Sequence, residues 1–214
     1  KHLWDFCAFP ATNTDWDNSY DEVVFLGYGI QDDAYNDYAG TNVSGKLIMV
    51  YDGEPTNASG VSYITGTAEP SVWSSDFRKK FKAAKANGAA GILIIDKDIK
   101  NRISTNRNRM LNGRMHIGKG ENPSANYAPN MFISSTMAQD ILEKKGNKVI
   151  KARKSIEKTG KPKSVAVKTN VSFDFEKETK PLIGSNVSGM ITGSDPVLKD
   201  EFVFITAHYD HLGK

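Results

Sequence analysis

Near the end of this 214-residue chain, His208 and Asp210 stand two positions apart, just after the apolar run Phe202-Val203-Phe204-Ile205. Residues i and i+2 of an extended segment project to the same side, so the pair can share one pocket. An imidazole beside a carboxylate is the arrangement of a metal ligand and its orienting partner. The unbroken apolar run reads as a strand covered on both faces, as inside a parallel α/β sheet. Open sheets of that kind place their chemistry beyond the carboxyl ends of the strands. The plainer alternative is a coincidental His-x-Asp pair with His208 packed as an ordinary side chain.

Other chemistries find little support. The single cysteine, Cys7, excludes an internal disulfide and reads as a small buried hydrophobe. No Gly-x-Ser-x-Gly elbow and no Walker-type phosphate loop occurs. Gly27 and Gly29 are too sparse for dinucleotide binding and read as strand glycines at a close backbone approach. The four histidines are His2, His116, His208 and His211.

Bulk properties describe a globular protein, with 39% hydrophobic and 25% charged residues. The net charge of +3 is too small to call for a polyanion. The basic clusters at Arg78 to Lys85, Arg102 to Arg114 and Lys144 to Lys163 read as solvated faces, so no nucleic-acid partner is expected. No apolar run is long enough to span a bilayer, so no transmembrane segment is expected. The chain opens on Lys1 without a signal-peptide pattern, which suggests a mature or truncated product.

The elements that must position this chemistry follow from pattern. Residues 1–20, with Trp4, Phe6, Phe9 and Trp16, read as an irregular aromatic flap on the surface. Val23 to Ile30 and Val43 to Tyr51 read as strands, the second ended by Asp52-Gly53-Glu54-Pro55. Phe77, Phe81, Ala84 and Gly88 make one stripe of a helix over Asp76 to Asn87, capped by Ser75 or Asp76 and stopped by Gly88. Ile92 to Ile95 is a short buried strand, whereas Asp96 to Tyr127 shows neither period and reads as a long loop. Met131 to Ser134 predicts a strand. Thr136 with Gln139 predicts a capping box for a helix that ends at Gly146. Residues 148–163 read as a basic connector, Val165 to Phe175 as a half-buried strand, and Asn186 to Thr192 as its antiparallel return.

Two stretches carry a family resemblance. Gly184-Ser185-Asn186-Val187-Ser188-Gly189-Met190-Ile191-Thr192-Gly193-Ser194-Asp195-Pro196, then Lys199-Asp200-Glu201-Phe202-Val203, then Ala207-His208-Tyr209-Asp210-His211-Leu212-Gly213, resemble the start of the catalytic domain of bacterial di-zinc aminopeptidases, the family that includes glutamate carboxypeptidase and the transferrin receptor. Before it, Asp37-Tyr38-Ala39-Gly40, Val43 to Val50, Lys85 to Ile95 and Pro129 to Ser134 resemble a protease-associated (PA) domain. The resemblance implies an α+β fold: a PA domain with a twisted β-sheet or sandwich and flanking helices, followed by the first strands of an α/β zinc-peptidase domain. It implies residues 1–20 as flap, 21–147 as PA domain, 148–163 as linker and 164–214 as the truncated start of the catalytic domain.

By the same resemblance His208 ligates one of two zinc ions and Asp210 is catalytic, with no role assigned to His211. The remaining ligands and the general base of that family come from later sequence. The parent protein is then expected to be an exported bacterial zinc metallopeptidase, periplasmic or extracellular, acting on a peptide or protein by metal-activated water, and this stretch alone is expected to be inactive. The PA domain would wall or gate the substrate cleft, with Arg107, Arg109 or Arg114 meeting an acidic substrate group. The alternative is a non-catalytic peptide- or protein-binding module in which His208 is incidental.

Overall fold

A computed structural model describes residues 1–112, 123–178, 180 and 183–208. The chain divides into two compact units, Lys1–Glu178 and Thr179–Lys214.

The first unit is built on one six-stranded sheet. Its strands are β1 (Phe6–Cys7), β2 (Trp16–Leu26), β3 (Leu47–Tyr51), β4 (Gly91–Asp96), β5 (Asn130–Ser134) and β6 (Ser164–Phe175), in the order β1-β5-β4-β3-β2-β6. The four central strands β2 to β5 run parallel, and β1 and β6 close the two edges antiparallel. The helices are α1 (Val72–Ser75), α2 (Arg78–Ala86), α3 (Ile99–Leu111), α4 (Ser135–Leu142) and α5 (Gly146–Thr159). Strands β3 and β4 are buried at every position, which is what parallel strands covered on both faces require. The architecture is a single mixed α/β sheet rather than a sandwich.

Several elements differ from expectation. Residues 1–20 are not a surface flap: they contain β1 and the start of β2, and Trp16 is 2% exposed, stacked on Phe173 at 3.8 Å. Of Trp4, Phe6, Phe9, Trp16 and Tyr20, Trp4 alone is largely exposed. The first long strand ends at Leu26. Gly27 and Gly29 then turn the chain at positive φ, and a Cβ on Gly27 would collide with the Asp37 carboxylate. The stretch after β4, expected as loop, is largely α3. Its buried Ile99, Ile103 and Met110 fall at i, i+4 and i+11, a stripe too thin to show against the asparagines and arginines around it.

The α4 cap is Ser134, whose hydroxyl accepts from Met137 N at 3.0 Å, not Thr136. Gly146 does not end that helix. Glu143, at φ 48°, breaks it, and Gly146 starts α5. Most of the expected connector 148–163 is therefore helix, with Val149, Ala152 and Ile156 buried and Gly160 ending it in the left-handed region. Val165 to Phe175 is a strand as expected, but β6 pairs along β2 within the same sheet. The division between units consequently falls after Glu178 and not at 148–163.

The amino-terminal segment is tied to the sheet by amides. Asn130 N donates to Asn13 Oδ1 at 2.7 Å, Asn13 Nδ2 donates to the Asn130 carbonyl at 3.0 Å, and Asn130 Nδ2 donates to the Thr12 carbonyl at 2.9 Å.

In the second unit, residues 183–208 form neither helix nor strand. Neither the strand expected at Phe202–Ala207 nor the return at Asn186–Thr192 is formed. A strand covered on both faces needs neighbours on both sides, and here Ile183, Val187, Ile191 and Val203 to Ile205 are exposed.

Candidate functional site

The residues singled out by sequence are not brought together. His208 lies in the second unit, exposed, at the end of its described stretch. Asp210, His211 and Arg114 lie outside the described residues. Arg107 and Arg109 are exposed on helix α3 of the first unit. The described residues do not fit a pair of zinc ions: no group of three or more His, Cys, Asp or Glu converges among them, and such a site needs several.

A different site emerges at the carboxyl ends of the parallel strands, where α/β sheets bind ligands. The pairing of Tyr51 with Ile95 puts the next residue of each chain side by side, so Asp52 and Asp96 stand as neighbouring carboxylates. The Asp52 amide donates to the Ile95 carbonyl at 3.0 Å, which fixes the pair. Arg102, from the first turns of α3, spans both: Nε donates to Asp96 Oδ2 and Nη2 to Asp52 Oδ2. Its guanidinium lies 4.1 Å from the Phe132 ring centre, the stacked setting that suits a planar cation.

Beneath this end lies Lys80, on α2, with no exposure to solvent. Its ammonium donates to the Tyr51 carbonyl at 3.0 Å and to the Gly53 carbonyl, and sits 5.8 Å from the Tyr28 ring centre. Burial pushes Lys80 down to about 8, against the opposing pull of Asp52, Asp37 and Glu54. Asp37 is itself buried, accepting from the amides of Tyr28 (3.0 Å) and Ile30 (3.1 Å) and from the Tyr35 hydroxyl (2.8 Å). Burial pushes its carboxyl up to about 6.

Above lies a hollow of about 430 Å³, lined among others by Asp52, Glu54, Asp96, Asp98 and Glu157. Glu157 accepts from Arg153 Nε at 2.8 Å and from the Tyr28 hydroxyl at 3.2 Å. Glu54 accepts the Ser71 amide on both oxygens at 3.0 Å, anchoring the residue that caps α1. Cys7 is fully buried, as expected, and burial raises its thiol to about 12, so it offers no thiolate. What the hollow offers is recognition by fixed charges.

Sequence reasoning passed over Asp52, Asp96, Arg102 and Lys80. A signal was present for the first two, because each is the aspartate that follows a fully apolar strand. Lys80 carried none, since it sits in a run of lysines that reads as a solvated face.

The comparisons with known proteins agree with part of this picture. The family model of the PA domain matches residues 21–141, more than half of the chain. No curated protein matches it, and no solved structure does.

Proposed function

Because this chain belongs to the PA domain family, we propose that its first unit is the substrate-handling part of a zinc-dependent aminopeptidase and that residues 179–214 open the catalytic part. The family match carries the reading, since PA domains occur in proteases. Two observations support it. The hollow at the sheet's carboxyl end is concave and polar, suited to a peptide. The second unit exposes apolar residues that a folded catalytic domain would cover.

In this reading His208 is a zinc ligand and Asp210 a catalytic residue, the other ligands and the base coming from sequence outside these 214 residues. The PA domain walls the substrate cleft, and Arg107, Arg109 and Arg114 are candidates for substrate contact from α3 and the segment after it. The protein is exported, and no helix among the described residues is long and apolar enough to cross a membrane.

The test uses the full reading frame and an aminoacyl-p-nitroanilide. Hydrolysis is expected to stop with a chelator, to return with zinc, and to be lost in His208→Ala. Absence of hydrolysis on a panel of such substrates and short peptides, or activity indifferent to both treatments, would leave a non-catalytic peptide-binding module as the better reading.

A further inference from the structure

We infer that the hollow at the carboxyl ends of β3 and β4 takes a basic side chain, lysine or arginine, of an extended peptide, with Glu54 and Asp98 as its two anchors. This rests on the reading of the first unit as peptide-handling and names the class of peptide.

The charges decide the class. Five carboxylates line the hollow, and only Lys97 and Arg153 oppose them from the lining. Behind the lining Lys80 and Arg102 add two cations, and Asp37 adds one more carboxylate to the field at Lys80. Among these named groups carboxylates exceed cations by two, and a concave wall strengthens the field of such an excess.

The ion pairs locate the excess. Arg102 is shared between Asp52 and Asp96, and Arg153 is held by Glu157. Glu54 bonds to Ser71 but has no cation within ion-pair distance among the described residues, and neither has Asp98. Those two can accept a new cation without breaking an existing pair.

A bare metal ion is a poorer occupant, because no three ligating groups converge among the described residues. An anion would meet the wrong field. The volume of about 430 Å³ exceeds what one ion needs and matches a long side chain with part of its backbone.

The test titrates the 214-residue chain with three capped tripeptides, acetyl-Ala-Lys-Ala-amide and its norleucine and glutamate counterparts. The lysine peptide is expected to bind at least about ten-fold more tightly than either, and its affinity is expected to fall as salt is raised. Asp98→Asn is the clean variant, since Asp98 is exposed and its side chain makes no capping bond to α3. Glu54→Gln keeps an acceptor for Ser71. Each is expected to weaken the lysine peptide several-fold and to leave the norleucine peptide unchanged. Equal binding of all three peptides overturns the basic-group assignment and leaves peptide handling standing. Binding of none overturns it as well, while the peptidase reading stands or falls on the chelator and His208→Ala assay. Variants indistinguishable from wild type, with unchanged melting temperature, overturn the choice of anchors.

Discussion

Lys80 shows how much of a site can hide in an unremarkable residue. Its ammonium is charged at neutral pH inside the protein, and burial has lowered its pKa from 10.5 to about 8. A group depressed in the folded state contributes stability that is present above its unfolded pKa and lost as pH falls through the folded one. Unfolding free energy attributable to Lys80 should therefore rise as pH climbs from 8 to 10.5, by about 3 kcal/mol in total. Asp37 works in the opposite sense, its pKa raised from 3.8 to about 6, so its contribution is present below 3.8 and lost as pH rises through 6. Chemical denaturation of wild type and Lys80→Met across pH 7 to 10 isolates the lysine. The stability of wild type relative to Lys80→Met should rise with pH, and parallel curves would show that the fold does not lower the pKa of Lys80.

At the scale of elements, pattern served well where apolar residues were dense. The strand cores at Leu47 to Tyr51 and Ile92 to Ile95, and the helix stopped by Gly88 at φ 74°, lie where periodicity puts them. It failed where polar residues dominated: α3 and α5 bury three and four residues each, and the rest of each surface is mostly Lys, Arg, Asn and Ser. Gly91 illustrates a contact that no local pattern reveals. A Cβ there would lie 2.4 Å from Trp16 Cζ2, and Trp16 is itself stacked on Phe173. Gly91→Ala should cost about 2 kcal/mol in urea unfolding through overpacking. Trp16→Phe in the same background should add less than it does alone. Additive effects would mean that the two residues do not meet.

For the whole molecule, the hollow was not legible in the sequence, because it depends on strand register and on helices arriving from separate places in the chain, whereas spacing and resemblance point only to His208 and Asp210, outside it. The domain boundary was misplaced for a related reason: basic residues and Gly160 in 148–163 resemble a connector when α5's buried face cannot be seen. Limited trypsin digestion separates the two descriptions. Lys199, exposed in a stretch without helix or strand, should be cut before Lys151, Lys154 and Lys158, which are exposed but lie within α5. Earlier cleavage in 148–158 would restore the connector.

The two antiparallel edge strands have a practical corollary. All of β1, α5 and β6 lies outside 21–141, the span by which the family is recognised. An expression clone trimmed to that span would strip the hydrogen-bonding partners from β2 and β5 together, and would remove Asn13 from Asn130. Open strand borders of that sort recruit other chains. The smallest piece worth purifying runs from Lys1 to Glu178, and anything shorter invites insoluble material that would be mistaken for a defect of the family fold.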